Sequence, residues 1–274
     1  MTNRTLNRTT DRTANRTTDH TANRTTDHTA NRTTDRTANR TTDHTVSDTT
    51  GRATDRTANG TMSVPEAIRT RRTVRHYRPD PVSPELLDTL LDLAVEAPTS
   101  WNLQDRSIVV VSGEEGRAGL ARATGGQPQP SEAPVVLVFV AEPQAWREDR
   151  SDVYRQARQN GAWSEEFVEM FSAAAQEFQE GLEQRGLLRE YAVKDAVIAA
   201  SFVMLAATGM GLATSPMNGW DEEEVKKVIG IEHREDLAIA LLVAVGHPAG
   251  TRFHPGRRPR RRVVFEETWG AHGG

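Results

Sequence analysis

From Met62 onward the apolar positions fall into two periods. Behind Ser83-Pro84, residues Leu86, Leu87, Leu90, Leu91 and Ala94 recur at helical spacing. That helix stops at Ala97-Pro98, because the residue before a proline resists helical backbone angles. Ser63-Val64-Pro65-Glu66 has the form of a capping box with proline in the first turn, and predicts a helix to about Thr70. Residues 108–111 read as a short buried strand and Glu114–Ala123 as the helix that follows. The runs PVVLVFVA (134–141) and LAIALLVAV (237–245) are unbroken and largely β-branched, the pattern of strands covered on both faces. Residues 164–185 and 190–208 are predicted helices, the second Ala-rich and central, and Asp221 caps another through Val228. Strands interleaved with longer helices predict an α/β (α+β) fold rather than a bundle.

The first 61 residues follow neither period. From Asn7 to Val46 an eight-residue unit, NRTTDRTA or NRTTDHTA, repeats five times with almost no apolar residue larger than Ala, and ragged copies run on to Gly60. Stacked copies would bury almost nothing, so the expected state of 1–61 is a disordered tail, with Met62 an expected alternative start. Residues 62–274 form the expected single domain.

Charge sharpens this division. The tail holds 10 Arg and 7 Asp, which leaves the body 24 basic and 31 acidic residues, a net charge of −7. A body this acidic argues against general nucleic-acid binding. Its basic residues nevertheless concentrate at 69–78 and 257–262, as expected of a specific anion site. The chain has no cysteine, which removes disulfides, thiolate metal sites and cysteine nucleophiles. No run of 18 uninterrupted apolar residues occurs, so the expectation is a soluble cytoplasmic protein without a membrane span. No G-x-G-x-x-G follows a strand, and neither a Walker loop, an H-E-x-x-H nor a G-x-S-x-G is present. His76, His233, His247 and His254 lack metal-ligand spacing.

The segment Arg71-Arg72-Thr73-Val74-Arg75 gathers three guanidiniums and a hydroxyl at the end of a helix. Such a cluster is costly to assemble unless an anion sits in it, and the planar guanidinium fork suits phosphate. Three further segments follow in order. They are Ala97-Pro98-Thr99-Ser100-Trp101-Asn102-Leu103-Gln104, Pro216-Met217-Asn218-Gly219 after Gly209-Met210-Gly211, and Gly246-His247-Pro248 leading to Arg257-Arg258-Pro259. Their order and spacing resemble the nitroreductase family of FMN-dependent oxidoreductases across essentially all of 62–274.

The resemblance implies a central mixed sheet flanked by helices in an intertwined homodimer with FMN at the interface. It implies Arg71 and Arg258 as phosphate forks with Arg257 nearby, Arg72 acting through backbone and side chain, and Thr73 as a hydroxyl donor. Arg75 would face the N1/O2 side of the flavin, where a cation stabilises the reduced ring. Pro216 and Met217 would lie against one face, with the backbone of Asn218 and Gly219 near N5. Pro98, Thr99, Ser100 and Asn102 would come from the other subunit, and Gln127 would bond the pyrimidine edge. Two departures from the family pattern stand out: Asn218 replaces a frequent carboxylate, and Asp105-Arg106 replaces a Pro-aromatic pair.

The implied activity is a ping-pong oxidoreductase that takes hydride from NADH or NADPH onto flavin N5. A nitroaromatic, quinone or similar small acceptor would then be reduced, with no obligatory side-chain acid or base and no metal. Residues 146–190, with Trp146, Tyr154, Trp163, Phe167 and Phe171, are expected to form a helical flap over the pocket. The same pattern also admits a specialised flavoenzyme (dehalogenase, biosynthetic oxidase or flavin-fragmenting enzyme). From another class, it admits a non-catalytic FMN-binding dimer.

Overall fold

A computed structural model describes residues 62–271. The expectations for 1–61 lie outside the described residues. The capping signals act as read. Ser63 accepts from the Glu66 amide to start α1 (Val64–Thr70), and Ser83 accepts from the Leu86 amide to start α2 (Pro84–Val95). There follow β1 (Arg106–Val111), α3 (Glu114–Ala123), α4 (Gln129–Glu132), β2 (Val135–Ala141) and α5 (Ser151–Gln159). The chain continues through α6 (Glu165–Gln184), α7 (Leu188–Gly209), β3 (Ala213–Met217), α8 (Glu222–Val228) and β4 (Ala238–Gly246).

The four strands form one sheet in the order β1-β2-β4-β3, with every neighbouring pair antiparallel. The parallel component of the expected mixed sheet is confined to a bridge between Thr73 and Thr214, which lays the segment after α1 along β3. All of β2 and β4 is buried, as their unbroken apolar runs require. Alternate residues serve opposite faces. Leu137 and Phe139 pack with Leu90, Ala196, Ala200 and Val203 on the α2/α7 side, whereas Val136 and Val138 pack with Leu120 and Val225 on the α3/α8 side. A register shift between Phe139 and Val140 leaves Ala240 of β4 without an opposite residue. This bulge puts both Ala240 and Leu241 on the α7 side.

The α7 helix is long and apolar enough to cross a membrane by length and composition. Its alanines 192, 196, 199, 200 and 207 are buried in the core, letting helix and sheet approach closely. The other helix faces are less covered: Ile198 is 37% and Phe202 40% exposed. On the neighbouring α1, Val64 and Ile68 are 64% and 58% exposed. Strand β3 was not expected. Its sequence, ATSPM, has no apolar run and contains a proline, which is tolerated because β3 pairs with β4 alone among the named strands.

Candidate functional site

The loop between α1 and α2 runs across the start of β3. The Val74 amide donates to the Thr214 carbonyl at 3.0 Å, and this main-chain anchor fixes Arg71, Arg72 and Thr73 on the β3 edge. Arg72 turns its Nη1 back onto the carbonyls of Arg69 (2.7 Å) and Arg71 (2.9 Å), closing the open C-terminus of α1. Its Nε and the Nη1 of Arg71 are buried with no hydrogen-bond partner. Beyond β4 the chain doubles back. The Arg78 amide donates to the His247 carbonyl, the Ala249 amide donates to the His76 carbonyl, and Tyr77 bridges to Pro248. That return brings His254 and Arg257 to Arg71 and Arg72. Burial first, then the charges of Arg257 and Arg72, lowers the pKa of Arg71. The His254 imidazole is shifted down as well, by desolvation and then by Arg72, Arg257 and Arg71. Among the described residues, no carboxylate forms an ion pair with Arg71, Arg72, Arg75, Arg257 or Arg258. Three guanidiniums and an imidazole thus gather here without a carboxylate partner among the described residues, an arrangement of uncompensated positive charge.

Arg258 does not join this cluster. It lines a pocket with Arg261, Arg262, Phe265 and Trp269, while Arg257 is the C-terminal arginine whose charge acts on Arg71. Arg75 is exposed, one residue past the buried Val74.

Past β3, the Asn218-Gly219 turn is exposed and tethered. Gln127 donates through Nε2 to the carbonyls of Thr124 (3.2 Å) and Gly219 (3.3 Å), while its Oε1 accepts from Gln129 Nε2 at 3.3 Å. Gln129, 2% exposed, also lies 3.5 Å from the Ser215 hydroxyl, and its Oε1 has no partner. The amide of Gln127 is thus engaged at both ends and ties Gly219 to Thr124. Met217 is 2% exposed and packs among Val74, Tyr77 and Leu242. Its thioether therefore serves the core, and of the expected ring-face pair only Pro216 is partly exposed. Gln129 and Ser215 escaped the sequence reading because single polar residues in a loop and an edge strand carry no periodic signal.

The segment from Pro98 to Asn102 is placed elsewhere. Ser100 donates through its amide (2.8 Å) and its hydroxyl (3.2 Å) to the Asp195 carboxylate of α7. The Thr99 hydroxyl accepts from the Gln104 amide at 2.9 Å. Trp101, Asn102 and Gln104 all have positive φ, a strained backbone held by these bonds and by tilted ring contacts of Trp101 with Phe171 and Phe178. Asp105 is 3% exposed beside the charge of Asp195. Asp195 precedes Gly209 by fourteen residues of α7, roughly 20 Å at the helical rise. Pro98, Thr99, Ser100 and Asn102 are thus held at the Asp195 level of α7, whereas Thr73 and Val74 lie on Thr214 past its C-terminal end. Trp163, Phe167 and Phe171 contact one another, Phe167 stacked on Phe171 and Trp163 tilted against both, and Phe171 links them to Trp101. Among the described residues no His, Asp and Glu group could hold a metal ion.

The site's elements recur in known proteins. A model of the Nitroreductase family matches residues 68–247. A protein named NADH dehydrogenase from Thermus thermophilus is 34% identical over 198 residues, 71% of this chain and 91% of its own length. Protein DrgA from Synechocystis is 30% identical over 194 residues, 70% of this chain and 87% of its own. A nitroreductase from Exiguobacterium sibiricum, solved in complex with FMN, superposes with a TM-score of 0.68 at 23% identity, covering 74% of this chain and 96% of that one.

Proposed function

The chain belongs to the nitroreductase family, and we propose that it is an NAD(P)H-dependent oxidoreductase that uses FMN to reduce a nitroaromatic, quinone or similar electron-poor compound. One observation carries the cofactor assignment. The Arg71, Arg72 and Arg257 cluster has buried, unpartnered N–H groups and no carboxylate, and a dianionic phosphate would satisfy both deficits. Bound FMN supplies the hydride-accepting and hydride-donating centre, so that donor and acceptor use one place in turn by a ping-pong scheme.

The protein's own contribution is then positioning and electrostatics. Arg71 and Arg257 hold the phosphate with Thr73 beside them, and Arg72 keeps the end of α1 closed behind it. Pro216 and the main chain of Asn218 and Gly219 support the ring, and the Gln127 tether keeps that main chain still. Arg75, exposed and without a counter-ion, offers the cation for the ring's negatively charged reduced form. No side chain here has to transfer a proton to the reacting atoms.

The proposed unit is a homodimer with FMN at the interface, in which Ser100 of one chain joins Arg71 of the other. The placement of Ser100 on Asp195, fourteen residues before the end of α7 at Gly209, and the uncovered apolar faces of α1 and α7 support this.

The assignment is tested with Arg71→Ala/Arg257→Ala. Loss of two charge-assisted phosphate contacts, roughly 1.5–3 kcal/mol each, should weaken FMN binding by at least a hundredfold, measured by quenching of flavin fluorescence. Full retention of FMN by that variant would refute the phosphate site.

A further inference from the structure

The first anion site leaves Arg258, Arg261 and Arg262 unused, and the fold gives them a place of their own. After Pro259 the chain makes a tight turn in which the Arg262 amide donates to the Pro259 carbonyl and the Val263 and Val264 amides donate to the Arg260 carbonyl. It then closes a second loop, with the Glu266 amide on the Ala271 carbonyl and the Ala271 amide on the Thr268 carbonyl. The two loops border an open surface pocket of about 520 Å³ lined by Arg258, Arg261, Arg262, Phe265 and Trp269. That is a volume within the range of small-ligand sites, roughly 300–1,000 Å³.

The wall has an unusual composition. Its charged groups are three guanidiniums, none of them in an ion pair among the described residues; Glu266 and Glu267 share the loop but do not line the cavity. Phe265 and Trp269 lie 5.5 Å apart with their rings tilted, and Trp269 is 90% exposed, so a broad indole surface faces water beside the three cations. Phosphate answers to guanidinium forks, and a flat heterocycle answers to an open indole. A ligand that satisfies both at once carries a phosphate within one sugar of an aromatic base. The cavity also borders the flavin site, since Arg257 and Arg258 are consecutive and their Cα atoms stand about 3.8 Å apart. It lies beyond residue 247, where the match to the family ends.

We propose that this cavity binds the 2′-phosphoadenosine half of NADPH and makes the chain prefer NADPH over NADH. The biological source of the ligand rests on the oxidoreductase reading above; the phosphate-plus-base chemistry does not. The three guanidiniums supply more charge than the single 5′-phosphate of NADH's adenosine half calls for, and the 2′-phosphate is the additional dianion. Trp269 stacks the adenine.

The test uses the flavin-loaded protein and the double variant Arg261→Ala/Arg262→Ala. The expected result is a KM for NADPH raised roughly 10- to 100-fold, a KM for NADH changed less than about twofold, and unchanged flavin content. Arg261→Lys/Arg262→Lys should recover part of the loss, since charge without the fork is the weaker ligand. Calorimetry of the wild type should show adenosine 2′-phosphate binding and adenosine 5′-phosphate binding at least tenfold more weakly, with the former weakened in Trp269→Ala. Equal binding of the two adenosine phosphates, an equal rise in both KM values, or no rise in either overturns the proposal. So does a cavity covered by a second subunit that takes up neither nucleotide. If the protein oxidises neither nicotinamide, the oxidoreductase reading fails while calorimetry still decides the site.

Discussion

Asp105 is a carboxyl group that the core holds out of its ordinary state. It is 3% exposed, one of its oxygens has no donor, and Asp195 stands near it. Burial first, then the charge of Asp195, pushes its pKa up to about 7, against the pull of Arg106 and Arg150. The unfolded chain titrates at the ordinary value, near about 3.9, so between these pH values the folded state binds the proton that the unfolded state has lost. Stability from this group is therefore highest at about pH 4 and below, falls as pH rises toward 7, and stays low above it. Asp105→Asn removes that slope. Its Tm should exceed the wild type's by on the order of 5 °C at pH 8, and the gap should shrink toward pH 5. A difference in Tm that is the same at every pH would show that Asp105 is ionised in the fold throughout. The residue scale also marks the boundary of what a sequence conveys. The cluster around Arg71 is legible because four arginines fall within seven residues, 69–75, whereas which of Arg257 and Arg258 comes to Arg71 depends on how a segment without regular structure folds back.

At the scale of elements, β3 and the turn after it depend on side chains from another part of the chain. The Ser215, Gln129, Gln127 and Gly219 contacts run from the sheet edge through α4 to the Asn218-Gly219 turn. A leucine at position 129 would leave Gln127 Oε1 without its donor and the turn free to move, while the core around it is untouched. Gln129→Leu should therefore bind FMN roughly 3- to 10-fold more weakly, with a Tm within about 4 °C of the wild type. Flavin fluorescence and thermal melts measure the two together; unchanged FMN affinity would reduce the contacts to local packing. The elements that were legible are those whose own residues impose them. The unbroken apolar runs of β2 and β4 permit only covered strands, and Ser63, Ser83 and Asp221 cap α1, α2 and α8 by local chemistry. In contrast, β3 is a strand because β4 offers it hydrogen bonds and Thr73 lies along it, and neither partner is visible in the five residues ATSPM. Helix α5 (SDVYRQARQ) has no buried residue, so no apolar stripe announces it.

At the scale of the whole molecule, the faces of α1 and α7 turned away from the sheet remain to be covered. Ile198 and Phe202 are four residues apart on α7, hence on one face, and the exposed Val64 and Ile68 repeat that spacing on the helix packed beside it. A core helix rarely leaves two large apolar residues open on the same stripe without a partner. The same α7 carries Asp195, which holds Ser100, so the helix that would meet a second chain also holds the loop that chain's flavin needs. Ile198→Glu/Phe202→Glu places two charges on that stripe at little cost to the monomer, because both side chains are already partly in water. Sedimentation should then give a monomer where the wild type gives a dimer. FMN should be lost in the same variant even though Arg71, Arg257 and Gly219 are unaltered. A monomeric variant that keeps FMN with wild-type affinity would place the whole site within one chain. A dimer that survives both charges would move the interface off α7.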